Sequence, residues 1–303
     1  MPLTGLIAAP HTPFHEDGSL NLARIDQQCE HLIRFGVNGA FVCGTTGEGM
    51  SLTSTERRLV AERWMKAAGG QLQVIVHVGH ASAREAADLA AHAQSLGVTA
   101  VAAVAPFYHR AAGEEGIVEF LAQIAGASPQ TPFYFYDIPS MTKVTLNTAA
   151  LMQLASERIP TFAGVKFSNP DLVTLQECVQ LHDRKYDVLF GCDEMLLAAW
   201  AFGVRGAVGS TYNFLAPLYQ EMFTLAYAGK IGKARDLQFL SVRVVRVMEK
   251  LGGLTAGKAI MKLIGIDCGP VRSPLKTVDV KVLRSELERC GLLDIIHKSV
   301  RKI

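Results

Sequence analysis

L-Q-V-I-V-H at residues 72–77, S-A-R-E at 82–85, an Ala- and Leu-rich stretch closing on Leu96-Gly97, and T-A-V-A-A-V at 99–104 follow one another in a single stretch. The two outer pieces are short continuous apolar runs between turn residues, the pattern of strands buried on both faces. Between them, Ser82 with Glu85 three residues later predicts a capping box that opens a helix, and Gly97 ends it. Strand, helix and strand over about thirty residues make one parallel βαβ unit with a right-handed crossover.

The same alternation extends both ways. Upstream, an apolar segment at 3–9 closes on Pro10. Leu22, Ile25, Cys29, Leu32 and Ile33 then mark a helix over 21–35 that stops at Gly36. Gly39–Cys43 is a strand, and Thr53 with Glu56 forms a second capping box. Downstream, helices at about 115–126, 147–156, 170–181 and 193–202 alternate with strands at 132–136, 161–166, 188–191 and 206–209. Eight such strands with a helix between each pair predict a closed (β/α)8 barrel. An open doubly wound sheet would normally carry G-x-G-x-x-G after its first strand, whereas here that strand runs into A-A-P-H-T-P-F. The expected organisation is a catalytic barrel over 1–225 and a C-terminal helical extension over 226–303, with apolar faces at 236–251 and 281–293, packed on the barrel as one structural unit.

With 49% apolar and 19% charged residues the chain has enough apolar material for a large core, and a net charge of +2 offers no electrostatic footprint for nucleic acid or an anionic membrane. Glu56-Arg57-Arg58 and the terminal Lys298, Arg301 and Lys302 read as solvated helix faces. M-P-L-T-G-L-I-A-A-P lacks the charged and apolar regions of a secretion signal, and no window reaches the roughly 20 apolar residues of a membrane span. Six scattered cysteines without a C-x-x-C pair read as reduced thiols of a cytoplasmic protein. His77 and His80 follow a strand with nothing nearby to complete a ligand set, so no metal is expected.

Barrels of this kind place their chemistry at the C-terminal ends of the strands. The sixth strand, in T-F-A-G-V-K-F-S-N at 161–169, ends on Lys166. A primary ammonium buried without a partner costs several kcal/mol and tends to shed its proton. A neutral amine at a pocket rim is a nucleophile that forms a Schiff base with a ketone. Taken alone, Lys166 could equally be a strand-end lysine pointing to solvent. Other strand ends supply Gly44-Thr45-Thr46-Gly47-Glu48, whose hydroxyls and backbone N–H groups suit a carboxylate. They also supply Tyr136 before Asp137-Ile138-Pro139, Ser168, Gly191 with Asp193 and Glu194, and Gly209-Ser210-Thr211-Tyr212-Asn213. Each has an ordinary structural reading, but together they place a nucleophile, a proton carrier, a carboxylate cradle and groups for a polyol on one face.

G-T-T-G-E at 44–48, Y-D-I-P at 136–139, G-V-K at 164–166 and G-S-T-Y-N at 209–213 resemble the dihydrodipicolinate synthase / N-acetylneuraminate lyase superfamily of class I pyruvate aldolases, over nearly the whole chain and in the same order. The segments G-T-T-G-E-G-M-S-L, I-P-T-F-A-G-V-K-F-S and L-F-G-C-D-E look like the lyase branch, especially its animal members. Synthases usually carry an arginine two residues after the proline of the Y-x-x-P motif, and Met141 stands there instead, unable to pair with a carboxylate. Asp137 and Lys143 depart from residues common in lyases, which bears on the acylamino-sugar preference.

The resemblance implies reversible cleavage of N-acetylneuraminate to pyruvate and N-acetylmannosamine. It assigns Lys166 as the Schiff-base lysine and Tyr136, Thr45 and Tyr108 as the proton relay, with a neighbouring subunit as a candidate source of Tyr108. Thr45 and Thr46 hold the carboxylate, and Ser168, Gly191, Asp193, Glu194 and Ser210 hold the hydroxylated chain. It further implies a homotetramer, no cofactor and no metal. Two alternatives stay open: another pyruvate-dependent aldolase, acting on 2-keto-3-deoxy sugar acids or as a dihydrodipicolinate synthase, and a non-catalytic barrel that binds a keto acid.

Overall fold

The computed structural model describes residues 2–301. Its eight parallel strands are β1 (Gly5–Ala8), β2 (Gly39–Val42), β3 (Gln73–His77), β4 (Ala100–Val104), β5 (Phe133–Asp137), β6 (Phe162–Phe167), β7 (Asp187–Phe190) and β8 (Gly206–Gly209). They pair in chain order, and β8 returns to β1 to close the barrel. Around it run α1 (Ala23–Arg34), α2 (Ser54–Ala68), α3 (Ala83–Ser95), α4 (Gly113–Gly126), the single turn α5 (Pro139–Thr142), α6 (Thr148–Arg158), α7 (Leu172–Gln180), α8 (Leu196–Ala201) and α9 (Tyr212–Tyr227). Then come α10 (Ile231–Lys250), α11 (Leu254–Leu263), α12 (Val280–Arg289) and α13 (Leu293–Arg301). The chain is therefore a (β/α)8 barrel with C-terminal helices. The expected boundary at 225 falls in the last turn of α9, and α10 packs along α9.

The continuous apolar strands are explained by two separate cores. Ile7, Phe41, Ile75, Ala102, Val104, Tyr134, Tyr136 and Leu189 fill the barrel interior, while their chain neighbours pack outward against the helices. A strand buried on both faces has no polar side to display, so the period-two signal vanishes.

Thr53 forms the full capping box with Glu56. The second expected box is half made. Ser82 Oγ accepts from the Glu85 N–H, but the Glu85 carboxylate accepts from Ser54 Oγ at 2.5 Å, and the Ser82 N–H donates to His80 Nδ1. A neighbouring helix start offered the carboxylate a better partner than its own cap. The helix expected over 193–202 begins as a tighter turn at Asp193–Met195. The single turn α5 carried no periodic signal because four residues are too few to show one.

Glu56-Arg57-Arg58 is not the solvated face expected from its charges. Arg57 is 2% exposed and donates to the carbonyls of Gly79 and His77, and Glu56 pairs with Arg272 far along the chain. Backbone carbonyls that face inward at the end of β3 satisfy the guanidinium, and a residue-type reading cannot anticipate them. At the other end Lys298 is exposed, while the Arg301 side chain and Lys302 lie outside the described residues. Among the described residues no helix is long and apolar enough to cross a membrane, and no group of three or more His, Cys, Asp or Glu is placed to hold a metal ion. All six cysteines are free thiols.

Candidate active site

Lys166 and Tyr136 are register partners on β6 and β5. The aim of the lysine depends on an irregularity just below it. Phe133 pairs with Phe162, but Tyr134 pairs with Gly164, so Ala163 is an extra residue in β6. Ala163 packs against the interior core, yet Lys166, three residues later, also faces inward. A regular strand would put those two residues on opposite faces, and the bulge resets the phase. Glycine is required there, since a Cβ on Gly164 would stand 2.0 Å from the Asp187 carbonyl oxygen.

Lys166 is 4% exposed and, among the described residues, forms no ion pair. Its Nζ lies 3.9 Å from the ring centroids of both Phe41 and Tyr136. Both rings thus present a π face to the amine. Tyr136 packs edge-on against Phe41 and His77, and its hydroxyl meets Thr45 Oγ1 at 3.3 Å. The expected relay pair Thr45–Tyr136 is thus in contact beside the amine.

Thr45 and Thr46 sit in a tight turn after β2. Cys43 and Glu48 hold left-handed backbone at φ 57° and 53°, and a Cβ on Gly49 would collide with the Cys43 carbonyl oxygen at 1.8 Å. Thr12 Oγ1 donates to the Gly47 carbonyl at 2.6 Å. Glu48 turns inward to a buried ion pair with Lys258 of α11 at 2.7 Å, and also accepts from the Arg272 N–H. Lys258 Nζ donates to the Pro270 carbonyl as well. Burial lowers the Lys258 pKa, opposed by the Glu48 carboxylate. The C-terminal extension thereby anchors the turn that carries Thr45 and Thr46. Lys258→Met would leave Glu48 buried and unpaired. Its urea unfolding curve is expected to show a loss of about 3–5 kcal/mol, and a smaller loss in the double variant Glu48→Gln/Lys258→Met. A loss below about 1 kcal/mol in the single variant would show that the pair does not hold the turn.

Beyond Lys166 a cavity of about 310 Å³ opens. Ser168, Gly191, Asp193, Glu194 and Ser210 all line it, as expected, together with Thr45, Thr46, Tyr136 and Lys166. Asp193 is also a brace: its Oδ2 accepts from the Thr211 N–H and hydroxyl at 2.9 and 2.6 Å, and Oδ1 lies against Gly209, where a Cβ would come within 1.8 Å. Burial raises the pKa values of both Asp193 and Glu194. Asp137 points away, accepting from Thr148 and Asn169, and Lys143 is exposed, so neither departure from the lyase pattern reaches the cavity. Met141 is 61% exposed. Tyr108 stands apart from the others at 79% exposure, edge-on to His109, and does not line the cavity of its own chain.

Several lining residues were not anticipated: His11, Ser140, Cys192, and from the extension Met248, Glu249, Gly253 and Leu254. Burial pushes the Cys192 thiol up to about 12, which disfavours its thiolate. The strand-end rule could have found Cys192, whose neighbours were singled out. Nothing local marks the α10–α11 residues, because they reach the site only through packing.

The fold and site thus define a (β/α)8 barrel with a buried lysine beside a tyrosine at the C-terminal rim of its strands. The sequence model of the Dihydrodipicolinate synthetase family matches residues 2–289, and the chain belongs to that family. It is 42% identical to the N-acetylneuraminate lyase of Rattus norvegicus over 90% of this chain and 87% of that protein. The human N-acetylneuraminate lyase is 40% identical over 97% of this chain and 93% of its own length. The solved Proteus mirabilis N-acetylneuraminate lyase superposes with a TM-score of 0.92 at 38% identity, covering 99% of each chain.

Proposed function

We propose that this enzyme cleaves N-acetylneuraminate reversibly to pyruvate and N-acetylmannosamine through a Schiff base on Lys166. The observation that carries the reading is the Lys166 amine held 3.9 Å from the Tyr136 and Phe41 ring centroids, with Tyr136 bonded to Thr45 and a cavity beyond that Ser168, Asp193, Glu194 and Ser210 help to line.

The neutral Lys166 amine adds to the C2 ketone of the open-chain sugar acid, and water leaves to give an iminium. Tyr136 accepts the proton of the C4 hydroxyl while its own phenol proton passes through Thr45 to solvent. The C3–C4 bond breaks, its electron pair flows into the iminium, and the aldehyde departs, leaving an enamine. The enamine is protonated at C3, and water then hydrolyses the iminium to free pyruvate and the amine. Thr45 and Thr46 hold the carboxylate, while Ser168, Gly191, Asp193, Glu194 and Ser210 hold the hydroxylated chain. Tyr108 joins the relay when a neighbouring subunit of a homotetramer carries its exposed ring to the site.

Pyruvate release from N-acetylneuraminate should far exceed release from 2-keto-3-deoxy sugar acids, and condensation of pyruvate with aspartate semialdehyde should be negligible. The reverse ranking would overturn the substrate assignment while leaving the lysine chemistry standing. Met141 agrees with the expected ranking, since no guanidinium stands at the place where synthases grip their second carboxylate.

A further inference from the structure

His77 ends β3 and has no part in the chemistry above. It is 3% exposed, and its ring reaches to both sides of the Thr45–Tyr136 contact. On one side it packs edge-on against the Tyr136 ring, with centroids 5.7 Å apart. On the other, Nδ1 lies 3.1 Å from the carbonyl oxygen of Cys43, two residues before Thr45. A carbonyl can only accept, so Nδ1 carries the proton and donates it to that oxygen. The Arg57 guanidinium stands 3.5 Å from Nδ1 but has better acceptors, the carbonyls of His77 and Gly79 at 2.5 and 2.8 Å. It thereby grips the main chain that carries the ring. Gly79 closes the far side, where a Cβ would lie 2.8 Å from Nε2.

Burial, with the charges of Arg57 and Lys166, lowers the His77 pKa well below its usual value, so the imidazole stays neutral and has one N–H to give. Two features make that donor matter. Cys43 holds left-handed backbone at φ 57°, a conformation that persists where the surroundings over-determine it. Its carbonyl marks the point at which β2 becomes the turn bearing Thr45. The relay contact itself is long: Thr45 Oγ1 meets the Tyr136 hydroxyl at 3.3 Å, against about 2.5–3.0 Å for an ordinary hydroxyl pair. A contact at that distance has little slack, so a small shift of either partner breaks it.

We infer, on the aldol reading proposed above, that His77 is a positioning residue: its Nδ1–H fixes the Cys43 carbonyl and its ring fixes the phenol, and together they hold Thr45 and Tyr136 within reach for proton transfer.

His77→Leu removes both the donor and the ring. His77→Asn has the branching of leucine but returns an N–H at the δ position. Each is made alone and in the Tyr136→Phe background, and kcat and KM for N-acetylneuraminate are measured with the melting temperature. A broken relay lowers kcat, whereas a weaker grip of Thr45 and Thr46 on the carboxylate raises KM. His77→Leu is expected to lower kcat about tenfold, the scale of one hydrogen bond, and His77→Asn to recover most of the loss. In Tyr136→Phe, His77→Leu should lower kcat less than about twofold, because the hydroxyl it serves is already gone. A merely structural role would cost the same in both backgrounds, and that result overturns the inference. So does an unchanged kcat in a folded His77→Leu, a rise in KM alone, or a His77→Asn no better than His77→Leu. Should His77→Leu fail to fold, His77→Gln, whose amide lies beyond the δ position, takes its place under the same expectations. A wild type that traps pyruvate with borohydride but does not cleave N-acetylneuraminate ends the substrate reading and this inference together. A wild type that cleaves it while the His77 loss is equal in both backgrounds ends this inference alone.

Discussion

Lys166→Ala is expected to lose catalysis by on the order of 10⁴-fold or more while the barrel stays folded. The amine is the group that bonds to substrate, and among the described residues no second lysine lines the cavity to replace it. The fold should survive. Among the described residues Lys166 makes no ion pair that its removal would orphan. Its stem leaves a gap between Phe41 and Tyr136, a cost of the size seen for core truncations and small against the whole interior. Turnover of N-acetylneuraminate, a melting curve and the intact mass after pyruvate and borohydride together test this. Residual activity within tenfold of the wild type, or an adduct that still forms on the variant, would end the Schiff-base account.

Tyr136→Phe is expected to lower kcat by about 10²–10⁴-fold, the range for a positioned acid–base group, with little change in pyruvate trapping. The substitution isolates the hydroxyl. The ring that packs on Lys166, Phe41 and His77 remains, and only the 3.3 Å contact to Thr45 Oγ1 is lost. Parallel losses in rate and in pyruvate affinity would instead make Tyr136 a binding group and remove it from proton transfer.

The barrel and most of its site were legible from residue order. Each strand is a local apolar run, several helix starts have side-chain caps, and the strand-end rule converts position along the chain into position in space. That rule places Lys166, Tyr136, Thr45, Thr46, Ser168, Gly191, Asp193, Glu194 and Ser210 at one rim, and all of them line the cavity. It failed where a side chain's fate depends on a distant partner. Arg57 looked solvated until the carbonyls of His77 and Gly79 were in place. Asp193 looked free for substrate, yet its Oδ2 is taken up by Thr211.

The sequence by itself determined the eightfold alternation, the strand-end position of Lys166 and the family, because strands, helices and strand ends are set by neighbours a few residues apart. The tertiary structure alone decided three things. It showed that one extra residue at Ala163 turns the amine inward, that Lys258 and Arg272 hold the turn after β2 from more than two hundred residues away, and that His11 is sealed against Gly257. These depend on burial and on contacts between remote segments, and burial is a property of the closed barrel that no window of sequence contains.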